Sequence, residues 1–190
     1  MNRLTAGTAA ALLTAALAHP ATAAAAADTA TTSIPVDPAT QIEMHVTADC
    51  TGEACTFNTT ADLLTPGGPI GFPGDVWARQ TITLRSSDRN VWQEARYSAP
   101  SGTPWADKGA NHDMVLSKQF KTTNNAEISV TTLGGGPIER FKVDGVSVPT
   151  NWSTGQPNTG ATFIACSVIH VVYGGVNLTT PTACAQTTFG

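Results

Sequence analysis

From residue 41 onward, apolar and polar positions alternate along much of the chain. This period of two is imposed on a half-buried β-strand because successive side chains leave opposite faces. The cleanest run puts Ile42, Met44, Val46, Ala48 and Cys50 on one face and Glu43, His45, Thr47 and Asp49 on the other. After Thr51 to Ala54, read as a four-residue hairpin loop, Cys55 and Phe57 return to the buried parity, which sets Phe57 near Ala48. His45 falls on the polar face and is expected as a solvated surface residue, not as a ligand.

A second pair of runs spans Val76 to Tyr97, joined by the polar cluster Ser86 to Asn90. Val76, Ala78, Ile82 and Leu84 share one parity, and the pair is predicted as a β-hairpin. Met114 to Lys121 and Ala126 to Thr132 predict another, with Ala126, Ile128 and Val130 facing in. Ile138 to Val148 is strand-like with a break at Asp144-Gly145. Ala161 to Tyr173 is apolar on both parities, the pattern of a central strand covered on both faces. Val176 to Gly190 is expected as a last short strand and tail.

Glycine- and proline-rich stretches separate these runs, the fullest being Gly67 to Gly74. Phosphate-cradling glycine loops open a helix and carry a lysine; this one opens a strand and has none, so it reads as a crossover between sheets. No amphipathic helix and no repeat of fixed period is present. The pattern predicts an all-β chain folded as a single antiparallel β-sandwich over residues 41–190, of immunoglobulin-like or jelly-roll topology. Residues 28–40 (DTATTSIPVDPAT) carry two prolines and are expected as a flexible, extended N-terminal arm, able in a sharper reading to dock onto a partner's sheet edge.

Residues 1–27 have the form of a secretory signal peptide: Arg3, then an apolar run to Ala18, then small residues with Ala-x-Ala sites. His19 and Pro20 interrupt the run well short of the roughly 20 apolar residues that cross a bilayer. Cleavage after Ala18 would expose His19 as an N-terminal histidine, the metal ligand of copper-dependent polysaccharide monooxygenases. Pro20 and the alanine tract behind it offer no rigid support for such a site, and that reading is set aside.

An exported chain changes how its four cysteines are read. They imply two disulfides, Cys50 with Cys55 across the first hairpin and Cys166 with Cys184 near the C-terminus. A zinc site would need a second closely spaced pair, which is lacking. The net charge of −4 with no basic run disfavours nucleic acid and anionic membrane surfaces as partners.

Candidate chemistry is sparse. None of the sequence patterns of serine hydrolases or of zinc peptidases occurs. His112-Asp113, at a loop-to-strand junction, is the best single acid/base or metal candidate, and His170 reads as a core or interface histidine. Carboxylate pairs for glycoside hydrolysis, drawn from Glu94, Glu127, Glu139 and Asp144, acquire meaning only at a defined separation. Trp105 and Trp152 lie in polar loops, where an exposed indole stacks on a sugar or anchors a protein interface. The expectation is a secreted, non-catalytic binding protein for an extracellular protein or glycan, with Trp105, Trp152, His112 and Asp113 as candidate binding residues and without metal or cofactor. An enzyme inhibitor presenting a loop at Leu63 to Pro66 is the second reading, and a carbohydrate-active enzyme using His112 and Asp113 the third.

Overall fold

A computed structural model describes residues 27–189. All but the last residue of the expected signal peptide, His19 included, lie outside the described residues. The strands are β1 (Asp28–Asp37), β2 (Thr40–Thr51), β3 (Ala54–Thr65), β4 (Gly68–Ile70), β5 (Trp77–Ser86), β6 (Val91–Ser98), β7 (Asn111–His112), β8 (Val115–Lys121), β9 (Ala126–Leu133), β10 (Lys142–Asn151), β11 (Phe163–Tyr173), β12 (Val176–Thr179) and β13 (Ala183–Thr187). A 3-10 turn at Ile138–Phe141 precedes β10.

Two antiparallel sheets pack face to face, as the alternation predicts. The first runs β1-β2-β3-β10-β6, with β4 on β3; the second runs β12-β11-β5-β9-β8-β7, with β13 on β11. The inner-face residues, among them Ile42, Met44, Ile82, Leu84, Ile128, Phe163 and Ile169, are almost wholly excluded from solvent and form one core. Both expected disulfides are present, Cys50–Cys55 and Cys166–Cys184, each joining residues paired across adjacent strands. Phe57 pairs with Ala48, as the cysteine register requires. The connection at residues 51–54 is tighter than expected: Thr51 pairs with Ala54, leaving a two-residue turn in which Gly52 takes a φ of 63°.

Several further expectations need correction. Asp28–Asp37 is extended but is not a free arm; it is the edge strand of the first sheet, paired with β2 from Asp28↔Ala48 to Ile34↔Ile42. Ala30, Ile34 and Val36 pack against the core, Thr32 donates to the Pro181 carbonyl at 2.7 Å, and Asp28 accepts from the Gln186 amide at 2.7 Å. Pro35 is tolerated because an edge strand has one unpaired side, and Pro38 falls in the turn.

Second, β5 and β6 are not a hairpin. β5 pairs with β9 and β11 in the second sheet, whereas β6 pairs with β10 in the first. Residues 87–90 therefore form an arch between layers, closed by Asp88, which accepts from the Asn90 amide through Oδ1 and from the Val91 amide through its carbonyl. Alternation fixes which face a residue occupies, not which strand lies beside it.

Third, β10 runs unbroken through Asp144-Gly145. A Cβ at Gly145 would stand 2.4 Å from the Phe57 ring and 2.5 Å from the Arg96 carbonyl, so glycine is there for close approach and not to end the strand. Fourth, β11 is flanked by strands but not covered on both faces. Phe163, Ala165, Ile169 and Val171 are buried, while Ile164, Val168 and His170 are only half-buried and Val172 is exposed. The tail holds two strands, β12 and β13, in place of one.

Buried polar groups bridge the layers. Gln80 on β5 donates to Thr59 on β3 at 2.6 Å and to Ser167 on β11 at 3.3 Å, and the Tyr97 hydroxyl on β6 donates to Ser117 on β8 at 2.8 Å. Satisfied inside the core, they help fix how one sheet sits on the other.

Candidate functional site

Three surface features carry chemistry-bearing side chains. The first lies where β10 leaves the first sheet. The Trp152 amide donates to the Asn90 carbonyl at 2.9 Å, pinning the loop after β10 to the arch before β6. That pin stacks the Trp152 indole on Trp92, with ring centroids 5.4 Å apart and planes inclined by 27°. Trp152 remains 52% exposed. Lys121 lies 5.3 Å from the Trp92 ring centre and is ion-paired with Glu94. An aromatic face beside a charged, hydrogen-bonding pair can stack on a sugar ring while its neighbours meet the hydroxyls.

Trp105, 46% exposed, belongs elsewhere. The next residue, Ala106, exchanges two backbone hydrogen bonds with Tyr97, five positions along β6 from Trp92 and so about 17 Å away at the rise of a strand. The two expected anchors therefore lie apart, and the partner of Trp152 is Trp92, a strand residue that the sequence pattern did not single out.

The second feature is a shallow groove of about 480 Å³ on the outer face of the second sheet. Its rows follow the strand register: Arg79, Thr131 and Leu116 across β5, β9 and β8, then Thr81, Ser129 and Lys118, then Glu127 and Phe120. Arg79 also lies 5.6 Å from the Trp77 ring centre, and Trp77 meets His170 edge-on at 5.3 Å. His170 is thus an outer-face residue, bonded to Asn177 at 2.8 Å, and not a core histidine. Phe120 lines the groove and the adjacent Lys121 reaches Trp92, so β8 carries both features.

His112 and Asp113 lie at the tip of the β7-β8 hairpin. Asp113 and Met114 form its two-residue turn with φ of 40° and 62°, and the Asp113 carbonyl accepts from Arg140 at 3.0 Å. Neither residue lines the groove, and among the described residues neither side chain makes an ion pair. The inhibitor loop has no counterpart either: Leu63, Leu64 and Thr65 are β3 residues paired with β4, and Leu63 is buried.

The third feature was not expected. On the outer face of the first sheet, Glu43 of β2 stands directly opposite Asp62 of β3, with His45 one step along β2. His45 Nε2 lies 3.1 Å from Asp62 Oδ2 and 3.4 Å from Glu43 Oε2, and His45 Nδ1 lies 3.0 Å from the Thr31 hydroxyl on β1. Asp62 is only 3% exposed, and its Oδ1 has no hydrogen-bond partner. Burial raises the Asp62 pKa above the usual carboxylate value; the His45 charge opposes the shift and Glu43 adds to it.

Fold and surfaces together define a disulfide-stapled, two-sheet β-sandwich with clustered polar, charged and aromatic side chains on both outer faces. No protein-family model matches the chain, and no curated protein matches it.

Proposed function

We propose that this chain is an exported, non-catalytic binding protein whose ligand is a glycan. The observation that carries the reading is the Trp152 indole, more than half exposed and held in a fixed plane by stacking on Trp92, with the Lys121–Glu94 pair alongside. A ring held this way stacks on a sugar face with little loss of side-chain entropy. The groove on the second sheet, with three hydroxyls, two cations, a carboxylate and only Leu116 and Phe120 as apolar elements, suits a polyhydroxylated chain better than an apolar ligand. Two disulfides agree with an oxidising compartment outside the cytoplasm, and among the described residues no helix is long and apolar enough to cross a membrane.

The test is retention of the purified protein on insoluble polysaccharides, with Trp152→Ala as the variant and Trp105→Ala as the control. Retention lost in Trp152→Ala and kept in Trp105→Ala supports the reading. Retention by a secreted protein and by no polysaccharide overturns the glycan assignment in favour of a protein partner. Turnover of any polysaccharide on incubation overturns the non-catalytic part.

A further inference from the structure

We propose that Glu43, His45 and Asp62 form a binding site for a divalent transition-metal cation of the zinc class on the outer face of the first sheet. Their ligand atoms all lie within 4.8 Å of one another, and His45 Nε2 stands 3.1 and 3.4 Å from the two carboxylates. Ligands about 2.0–2.1 Å from a tetrahedral zinc lie roughly 3.3 Å apart, so both histidine-to-carboxylate separations already match what such an ion imposes, and the two carboxylates lie close enough to share it.

The deficit of positive charge is the stronger argument. Glu43 and Asp62 are like charges directly opposite each other on neighbouring strands, an arrangement that is destabilising unless something lies between them. Among the described residues their one ion-pair partner is His45, with no lysine or arginine in reach. His45 Nε2 carries at most one proton, and two carboxylates converge on it. Asp62 is buried and still has an oxygen without a hydrogen bond, a state that ordinarily costs about 1–3 kcal/mol. A dipositive ion balances both carboxylates and takes the Nε2 lone pair as a third ligand.

The surroundings fit the same cation. A bound ion takes Nε2 unprotonated, and in that tautomer Nδ1–H can donate to the Thr31 hydroxyl 3.0 Å away, the support that metal-bound histidines ordinarily receive. One nitrogen and two carboxylates select zinc, manganese or iron over calcium and magnesium, which favour all-oxygen shells. The ligands stand on two strands paired without a break, so the site is rigid before the ion arrives. Half-exposure of His45 and Glu43 leaves an open side for water or a ligand atom. Thr31 brings in β1, so an ion here would tie the edge strand to β2 and β3.

The experiment titrates zinc chloride into EDTA-stripped protein at neutral pH by calorimetry and follows thermal unfolding with and without zinc. One zinc per chain is expected, with a higher unfolding temperature. His45→Gln keeps a hydrogen bond to Asp62 but removes the imidazole, and should weaken zinc by about 100-fold; Thr31→Val should weaken it by about 10-fold. Asp62→Asn should unfold at a higher temperature than the metal-free parent and gain nothing from zinc. His112→Ala/His170→Ala should bind as the parent does. Absence of saturable binding below about 1 mM overturns the site, as does binding that survives His45→Gln and disappears in His112→Ala/His170→Ala.

Discussion

The outer faces of the two sheets arise from the same alternation and differ in how their charges are arranged. On the first sheet Glu43 and Asp62 are opposed across adjacent strands with a histidine between them, and one carboxylate is buried. On the second, Glu127 shares its groove with Arg79 and Lys118, and three hydroxyls separate the charged groups. A like-charged cross-strand pair persists against its own repulsion, and the ligand it calls for is a cation. A mixed, hydroxyl-rich groove is electrostatically content when empty, and a ligand there need only exchange hydrogen bonds with it. Charge pattern thus separates the two faces by ligand chemistry, although their strands look alike.

The two faces should respond to different insults. Removing the Cys166–Cys184 bridge with Cys166→Ala/Cys184→Ala is the largest expected effect, about 3 kcal/mol by the loop-closure account for its 18-residue separation. This bridge joins β11 to β13 in the second sheet. Chemical denaturation should report the loss, while zinc affinity at Glu43, His45 and Asp62 should stay at the parent value. Loss of zinc binding in this variant would mean that the faces are not independent. Next in size is zinc itself: at a free concentration 100 times its dissociation constant it should add about 2.7 kcal/mol to parental stability. The same zinc should leave retention on polysaccharide unchanged.

Tyr97 connects the interior to the floor of the groove, because its hydroxyl donates to Ser117 on β8, whose neighbours Leu116 and Lys118 line the groove. Tyr97→Phe should cost about 1 kcal/mol. Burial raises the Tyr97 pKa above its usual value of 10.0, against the opposing Ser117 hydrogen bond. The folded state therefore holds its proton more tightly than the unfolded state does. Stability should fall as pH rises from about 10 toward the raised folded value, and Tyr97→Phe should remove that part of the fall. An unchanged alkaline profile would show that the hydroxyl is not buried in solution.

Much of this architecture is written in the alternation, and the cysteine spacing adds one register. Carried seven residues back from Cys50 and seven forward from Cys55, that register puts Glu43 opposite Asp62. The signal for the cluster is therefore in the sequence, but the threonines and terminal proline of Asn58 to Pro66 blur the alternation that would carry the strand as far as Asp62. Nothing comparable pins β5 and β6, so a hairpin and an arch are indistinguishable there. The same holds for Asp28–Asp37, whose inward parity reads Ala30, Thr32, Ile34 and Val36, too weakly apolar to announce an edge strand. Trp152 was legible as an exposed loop aromatic, whereas its stacking on Trp92 depends on an arch that local pattern does not encode.

The smallest effect on folding should come from the groove itself. Arg79→Ala removes a side chain whose contacts are the Trp77 ring and the groove surface, with no ion pair among the described residues. Its cost in stability should stay within about 0.5 kcal/mol. If the glycan chain extends from Trp152 past Phe120 into the groove, the same change should weaken retention on polysaccharide severalfold without affecting zinc. Retention equal to that of the parent would confine the ligand to the tryptophan pair and leave the groove as a solvated face. Arg79→Lys separates charge from shape: recovery of retention would mean that the ligand reads the cation, and failure to recover would mean that it reads the planar guanidinium, which a lysine cannot reproduce.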